Sequence, residues 1–319
     1  MPDYTDLITR DSVVGGTTGD ALVPTPVATQ IIQEMPHSSA VLASARRVPM
    51  SSKTDRMPVL DVLPVAYFVT GGDTGLKQTS KQAWENLTLI AEEMAVIVPI
   101  PEAYLDDAQV PIWDEVRPRV AAAFGKKIDQ ACLFGVDKPI TWGDALVPAA
   151  VAHGNEIDEG FSDDLASDVA AVARLIAEDG FSVDSFASAP GLRWRLVGLR
   201  SQQGIPIYAP PAGDQPGTLY GYALNESLNG GWDSNQATLV AGDWDNAIIG
   251  VRQDITFKMF TEGVITDANG VVVLNLMQQD SVALRAVMRV AWQVANPITE
   301  LNAVAQTRYP FGVLGPAGS

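Results

Sequence analysis

Two of the most apolar stretches in the chain, residues 58–69 (PVLDVLPVAYFV) and 87–100 (LTLIAEEMAVIVPI), flank a decapeptide, GGDTGLKQTS at residues 71–80, that can build no core. The pattern predicts a long hairpin with a wet tip. In the second limb Leu87, Leu89, Ala91, Ala95 and Ile97 fall on one face and Ile90, Met94, Val96, Val98 and Ile100 on the other, so neither face suits water. An isolated two-stranded ribbon is marginal at best, and each Val, Leu or Ile left bare forgoes about 1.5–3 kcal/mol of burial. The hairpin therefore needs a cover, from its own domain or from another subunit.

The rest of the chain bounds the choice. Its 319 residues suffice for about two domains with a sizeable core. No apolar run approaches the roughly 18 residues of a membrane span, and MPDYTDLITRD has acids where a signal peptide has bases, so the chain is expected to start in the cytosol. One cysteine, Cys132, excludes an internal disulfide, and two histidines, His37 and His153, are too few for a typical zinc cluster. A net charge of −17 opposes a dedicated nucleic-acid binder. Nine of the acids, from Glu156 to Asp184, fall in residues 151–185 against the single base Arg174, and read as a solvated surface.

Along the chain, residues 1–24 are polar, without period, and read as an extended arm. A short helix follows Thr25-Pro26, and Ser38 or Ser39 caps a second through Val41, Leu42 and Ala45. Residues 111–134 place Trp113, Val116, Val120, Phe124, Ile128 and Ala131 on one helical face, with a kink or fresh start expected at Pro118 and Cys132 as a small buried hydrophobe. Residues 136–161 read as a long loop; Ser162 caps a helix carrying Leu165, Val169, Val172 and Ile176 and closed by Gly180. Late strands alternate at Ile255, Phe257 and Met259 and at every even position from Val282 to Val294, while YPFGVLGPAGS reads as a loose end. This is a mixed α+β pattern.

A constellation for catalysis does not emerge. The motifs G-x-x-x-x-G-K-[ST], G-x-S-x-G and C-x-x-C are missing, and GGTTGD at residues 15–20 lies in the arm with no strand before it, so it reads as a turn. Glu102, Asp106 and Asp107 offer a carboxylate pair only in principle, since acid–base work needs their pKa values pushed apart. A soluble enzyme with an unrecognised site remains one alternative.

The order of elements carries more. An arm with GGTTGDALVPTPVATQII, a long hairpin, then PEAYLDDAQVPIWDEVRPRVAAAFGKKIDQACLFG as a long helix, followed by SFASAPGLRWRLVGLRSQQGIPIY, AGDWDNAIIGVRQDITFKMF and LRAVMRVAWQVANPITEL, resembles the major capsid proteins of tailed bacteriophages, the Hong Kong 97 fold. The resemblance spans nearly the whole chain. It implies an N-terminal arm at 1–45, an extended loop at 46–100, a peripheral domain with a spine helix at 101–137, an axial domain at 138–245, and return strands with a C-terminal tail at 246–319.

It further implies a non-enzymatic shell subunit, assembled in the host cytoplasm into hexamers and pentamers of a virion and needing no cofactor. The apolar hairpin then covers a neighbouring subunit, with Val65, Tyr67, Val69, Lys77, Trp84, Leu87 and Leu89 as the contact residues. Implied partners are copies of itself, a separate scaffold protein (no long scaffolding region precedes the arm), a portal, in some relatives a decoration protein, and packaged DNA held without sequence readout. Two departures stand out. Where many relatives carry a Glu after the aromatic segment, this chain has Thr70, Gly71 and Gly72; and Lys77 and Lys81, near the tip, have no identifiable isopeptide partner and read as solubilising lysines. An encapsulin-like nanocompartment shares the resemblance and is the nearer alternative.

Overall fold

The computed structural model describes residues 39–63, 83–107, 112–162, 164–199, 206, 208–210, 217–266 and 269–318. The arm up to residue 38, including His37 and the helix expected after Thr25-Pro26, and the hairpin tip lie outside the described residues.

Two sheets share one core. The first is four-stranded, in the order β1 (Arg46–Pro49), β11 (Ala247–Phe260), β14 (Ser281–Val294), β4 (Glu92–Pro101). The alternation in β14 holds over its middle: Val282, Leu284, Ala286, Met288, Val290 and Trp292 are buried and Arg285, Val287 and Arg289 only half-covered, but Ala283 and Ala291 are buried too and Val294 only partly. The buried face receives α3 (Ile112–Phe134), whose Val120 and Phe124 pack on Ala286, Val96 and Val98. This helix starts after α1 (Ala40–Ser44) and α2 (Glu102–Asp107). It runs through Pro118 as one element, so the expected fresh start does not occur. Pro118 lies in the second turn, where its missing N–H forgoes a single bond, to the Asp114 carbonyl.

The second sheet has seven strands, ordered β5 (Glu156–Asp158), β15 (Phe311–Gly315), β10 (Leu239–Gly242), β6 (Ser185–Ser188), β9 (Tyr222–Glu226), β8 (Thr218–Leu219), β7 (Tyr208–Ala209). Both faces are covered, one by α5 (Leu165–Glu178) through Val169, Val172 and Ile176, the other by α4 (Leu146–His153) and the end of α3. Phe311 stands edge-on to Trp244, 5.3 Å between ring centres, and the same cluster continues through Ile249, Met288, Val290 and Trp292 into the first sheet.

Several expectations need correction. The segment YPFGVLG is not a loose end: β15 lies between β5 and β10 and is wholly buried. Its Gly312 is a packing residue, because a Cβ there would sit 2.8 Å from Val172 Cγ1 and push α5 off the sheet. Residues 136–161 are not one loop, since they contain α4 and β5. Because α4 (LVPAAVAH) is apolar on nearly every side and has no side-chain cap at Ala145, it offered neither an amphipathic stripe nor a start signal. The cap of α5 is Asp164, whose carboxylate accepts from the Ser167 N–H at 2.7 Å, not Ser162. Finally, the second hairpin limb is two strands. β3 (Ala83–Ile90) pairs with β2 (Thr54–Val62), and the chain then breaks at Ala91 and enters the first sheet as β4.

Candidate assembly surfaces

The β2–β3 ribbon is anchored at its base. Leu89 is fully buried against Met50, Ala91, Ile248, Ala291 and Ala295 of its own chain, with Leu87, Met57 and Val59 packed at the edge of that cluster. Backbone bonds reinforce the root: Ala91 N–H donates to the Lys53 carbonyl at 2.8 Å and Ile298 N–H to the Leu60 carbonyl at 3.2 Å. Leu89 therefore has no apolar area left for a neighbour, which removes it from the expected contact residues; Leu87 keeps part of its surface. Trp84 stands opposite Leu60 in the ribbon register, while Val65, Tyr67, Val69 and Lys77 lie outside the described residues.

A second feature is buried, at the start of α1, where the described chain begins. The Asp129 carboxylate, on the buried side of α3, accepts from Ser39 Oγ, from the Ala40 and Val41 N–H groups at 3.0 and 3.1 Å, and from Asn229 Nδ2 at 2.6 Å. It holds the unpaired donors at the start of α1, which Ser39 also caps by accepting from Leu42 N–H at 2.9 Å. Burial pushes the Asp129 carboxyl above its usual value and the four donors pull it back. One turn earlier Gly125 lets the Ser39 backbone close in, since a Cβ there would lie 3.3 Å from Ser39 N. Sequence reading missed Asp129; the signal was an acid directly after Ile128 on an otherwise apolar stripe.

A third surface is bare. The hairpin of β12 (Val264–Thr266) and β13 (Val272–Asn275) exposes Val264, Val271, Val272, Val273 and the following Met277, each more than half. Successive strand residues point to opposite faces, so both sides of this hairpin are uncovered. It too went unread in the sequence, although Asn269-Gly270 before VVVLNL is a hairpin turn signal.

Groups that could do chemistry are used structurally. Cys132 is buried, and burial, helped by the Asp129 charge, pushes its thiol well up, away from reactivity. His153 stacks on Tyr309 at 4.8 Å and its Nδ1 bonds the Ala149 carbonyl at 2.7 Å. Two acids of the supposed solvated run are buried instead. Asp168 accepts from the Gly160 and Ser162 N–H groups, and Asp179 from Asn155, Asn302 and the Tyr309 N–H. Glu102 is exposed on α2; the side chains of Asp106 and Asp107 are outside the description. Asp184, Asp243 and Asp245 bring carboxylates within 4.8 Å of one another, with Asp184 accepting from Trp244 N–H at 3.1 Å. Burial first, then mutual repulsion, raises Asp184 and Asp243.

Residues 19–299 match the phage capsid family. Over 292 residues the chain is 26% identical to the major capsid protein of Staphylococcus phage 80alpha, covering 90% of this chain and 86% of that protein. A solved structure from Microbacterium phage Oxtober96 aligns with a TM-score of 0.80 and 38% identity, over 97% of this chain and 99% of the other. One from Mycobacterium phage Cain gives 0.81 and 36%, over 95% and 98%.

Proposed function

The chain belongs to the phage capsid family, and from that premise we propose that it is the major shell subunit of a tailed-phage head, assembling through copies of itself around double-stranded DNA. The observation that carries this reading is the family match across residues 19–299, which takes in the four-stranded sheet, every strand of the seven-stranded sheet but β15, the long helix and the ribbon. In this reading β2–β3 with residues 64–82 is the extended loop, α3 the spine helix, the four-stranded sheet the peripheral domain and the seven-stranded sheet the axial domain. The ribbon beyond its anchored base and the bare β12–β13 hairpin supply apolar contacts that hexamers and pentamers cover, at about 1.5–3 kcal/mol per buried side chain before entropy costs. Heterologous contacts of this kind close into rings and shells. The chain performs no turnover and takes no cofactor; scaffold, portal and decoration proteins are its further partners, and assembly proceeds in the host cytoplasm. The phage origin of the relatives favours this over a nanocompartment.

The test is to express the chain alone, measure its mass by size-exclusion chromatography with light scattering, and image the peak by negative-stain electron microscopy. Shells, tubes or capsomer rings are expected. A compact monomer or dimer that persists at high concentration, with the ribbon protected from protease, would overturn the reading.

A further inference from the structure

The four-stranded sheet has one face under α3; its other face is covered at Ala291 by the base of the ribbon and is open around Arg285 and Arg289, where cations gather. Arg285 and Arg289 of β14 project there, flanked by Lys258 and Gln253 of β11 and by Ile97 and Glu93 of β4. Together with Thr256 and Val287, Glu93 and the three cations line a depression of about 340 Å³. Arg289 is satisfied: its guanidinium bonds Glu93 at 2.6 and 2.9 Å. Among the described residues the other two cations have no such partner. Lys258 stands directly opposite Arg285 in the register, a like-charge cross-strand pair that is unfavourable by itself. Arg285 lies over the Phe260 ring at 4.8 Å, and its Nε, shielded from solvent, has no hydrogen-bond partner among the described residues.

We propose that this depression is a carboxylate-binding pocket that receives an acidic side chain from a second copy of the chain. The inference rests on the shell reading and adds a contact to it. A planar carboxylate fits the guanidinium fork, would satisfy the orphaned donor, and would relieve the repulsion between Lys258 and Arg285. Charge complementarity selects the occupant. The chain has 38 acids against 21 bases, so a neighbouring copy presents mostly carboxylates to a spot where cations outnumber acids three to one. A DNA phosphate would share the chemistry, but the residues between and beside the cations are Thr256 and Val287 in the lining and Ile97 next to it, which do not extend the cations into a stripe able to follow a nucleic-acid backbone.

Particles assembled from a mixture of unlabelled and ¹⁵N-labelled chains, treated with a carbodiimide that joins amines to touching carboxylates, test this by mass spectrometry. Lys258 is expected to couple to an Asp or Glu of a differently labelled copy, with the yield falling about fivefold in Arg285→Gln particles. The double variant Lys258→Gln/Arg285→Gln, with unchanged melting of the unassembled chain, should need about fivefold more protein for half-assembly, the size expected of an exposed ion pair near 1 kcal/mol. The pocket proposal fails if wild-type particles form and other lysines couple between copies while Lys258 does not. It also fails if the double variant assembles normally but binds a short DNA duplex less tightly, which makes phosphate the occupant. A wild-type chain that forms no particles overturns the shell reading itself, and the pocket with it.

Discussion

Replacing Asp129 by alanine tests whether the start of α1 is fastened to the long helix by one carboxylate. Each Asp129 oxygen accepts two donors: Oδ1 takes Ser39 Oγ and Val41 N–H, and Oδ2 takes Ala40 N–H and Asn229 Nδ2. The substitution strands two backbone N–H groups in a region where Ser39, Ala40 and Val41 are all buried. Leaving buried donors without an acceptor costs about 1–3 kcal/mol each, partly offset because a desolvated carboxylate is removed, so a net loss of about 3–5 kcal/mol is expected. For a chain this long, 1 kcal/mol moves the melting temperature by roughly 2 °C, giving a fall of about 6–10 °C in the unassembled protein. Asn229→Ala removes one donor and leaves Asp129 with three; it should cost about 1–2 kcal/mol. A second readout isolates α1. Arg46 and Arg47 are exposed but held in β1, and Arg47 donates to the Leu42 carbonyl at 2.6 Å, so a frayed α1 loosens the backbone there for trypsin. Cleavage there should accelerate in Asp129→Ala ahead of cleavage elsewhere. A melting temperature within 1 °C of wild type, or unchanged cleavage at these arginines, would refute the reasoning.

Leu89→Ala should destabilise the unassembled chain by about 2–5 kcal/mol, seen in its urea unfolding midpoint, because the side chain is buried in its own subunit; no loss before assembly would return Leu89 to the intersubunit contacts. Gly312→Ala should cost about 1–3 kcal/mol by overpacking against Val172, checked by thermal melting. Asp243 titrates in the folded chain above its usual 3.8, so the native state binds that proton more tightly and loses stability as pH rises from 3.8 through the raised value, with the deficit persisting above it. Asp243→Asn should therefore raise the melting temperature by about 1–2 °C at pH 7 and make no difference near pH 3; the opposite trend would assign the carboxylate a stabilising role.

What the sequence disclosed followed periodicity. The long helix from 112, α5 and β14 were legible because each has one buried face and one wet face, so their apolar residues recur at 3.6 or 2. The element order then carried the family resemblance. Periodicity is silent where an element is apolar on all sides, which is why α4, with its exposed Val151, passed for loop and the wholly buried β15 for a tail. It is also silent on partners: the acids Asp129, Asp168 and Asp179 look like solubilising charges until the fold brings backbone donors onto them. The break at Ala91 could not be read because apolar residues continue on both sides of it while the chain changes sheets.

The acidity of the chain frames how such subunits can meet. At −17 each, copies repel through their general fields, and that repulsion weakens as salt shortens the Debye length from about 30 Å at 0.01 M to about 8 Å at 0.15 M. Favourable contacts must then be short-ranged: apolar surface such as the β12–β13 valines, which salt does not weaken, or a local charge inversion such as the Lys258–Arg285 depression, which it does. The two respond to ionic strength with opposite sign. Apolar contacts gain from screening because only the long-range penalty is lost, whereas the pocket loses the attraction that distinguishes it. A shell built from both holds its subunits by the first and fixes their register by the second, since a carboxylate seated between two cations tolerates less sliding than a valine face does.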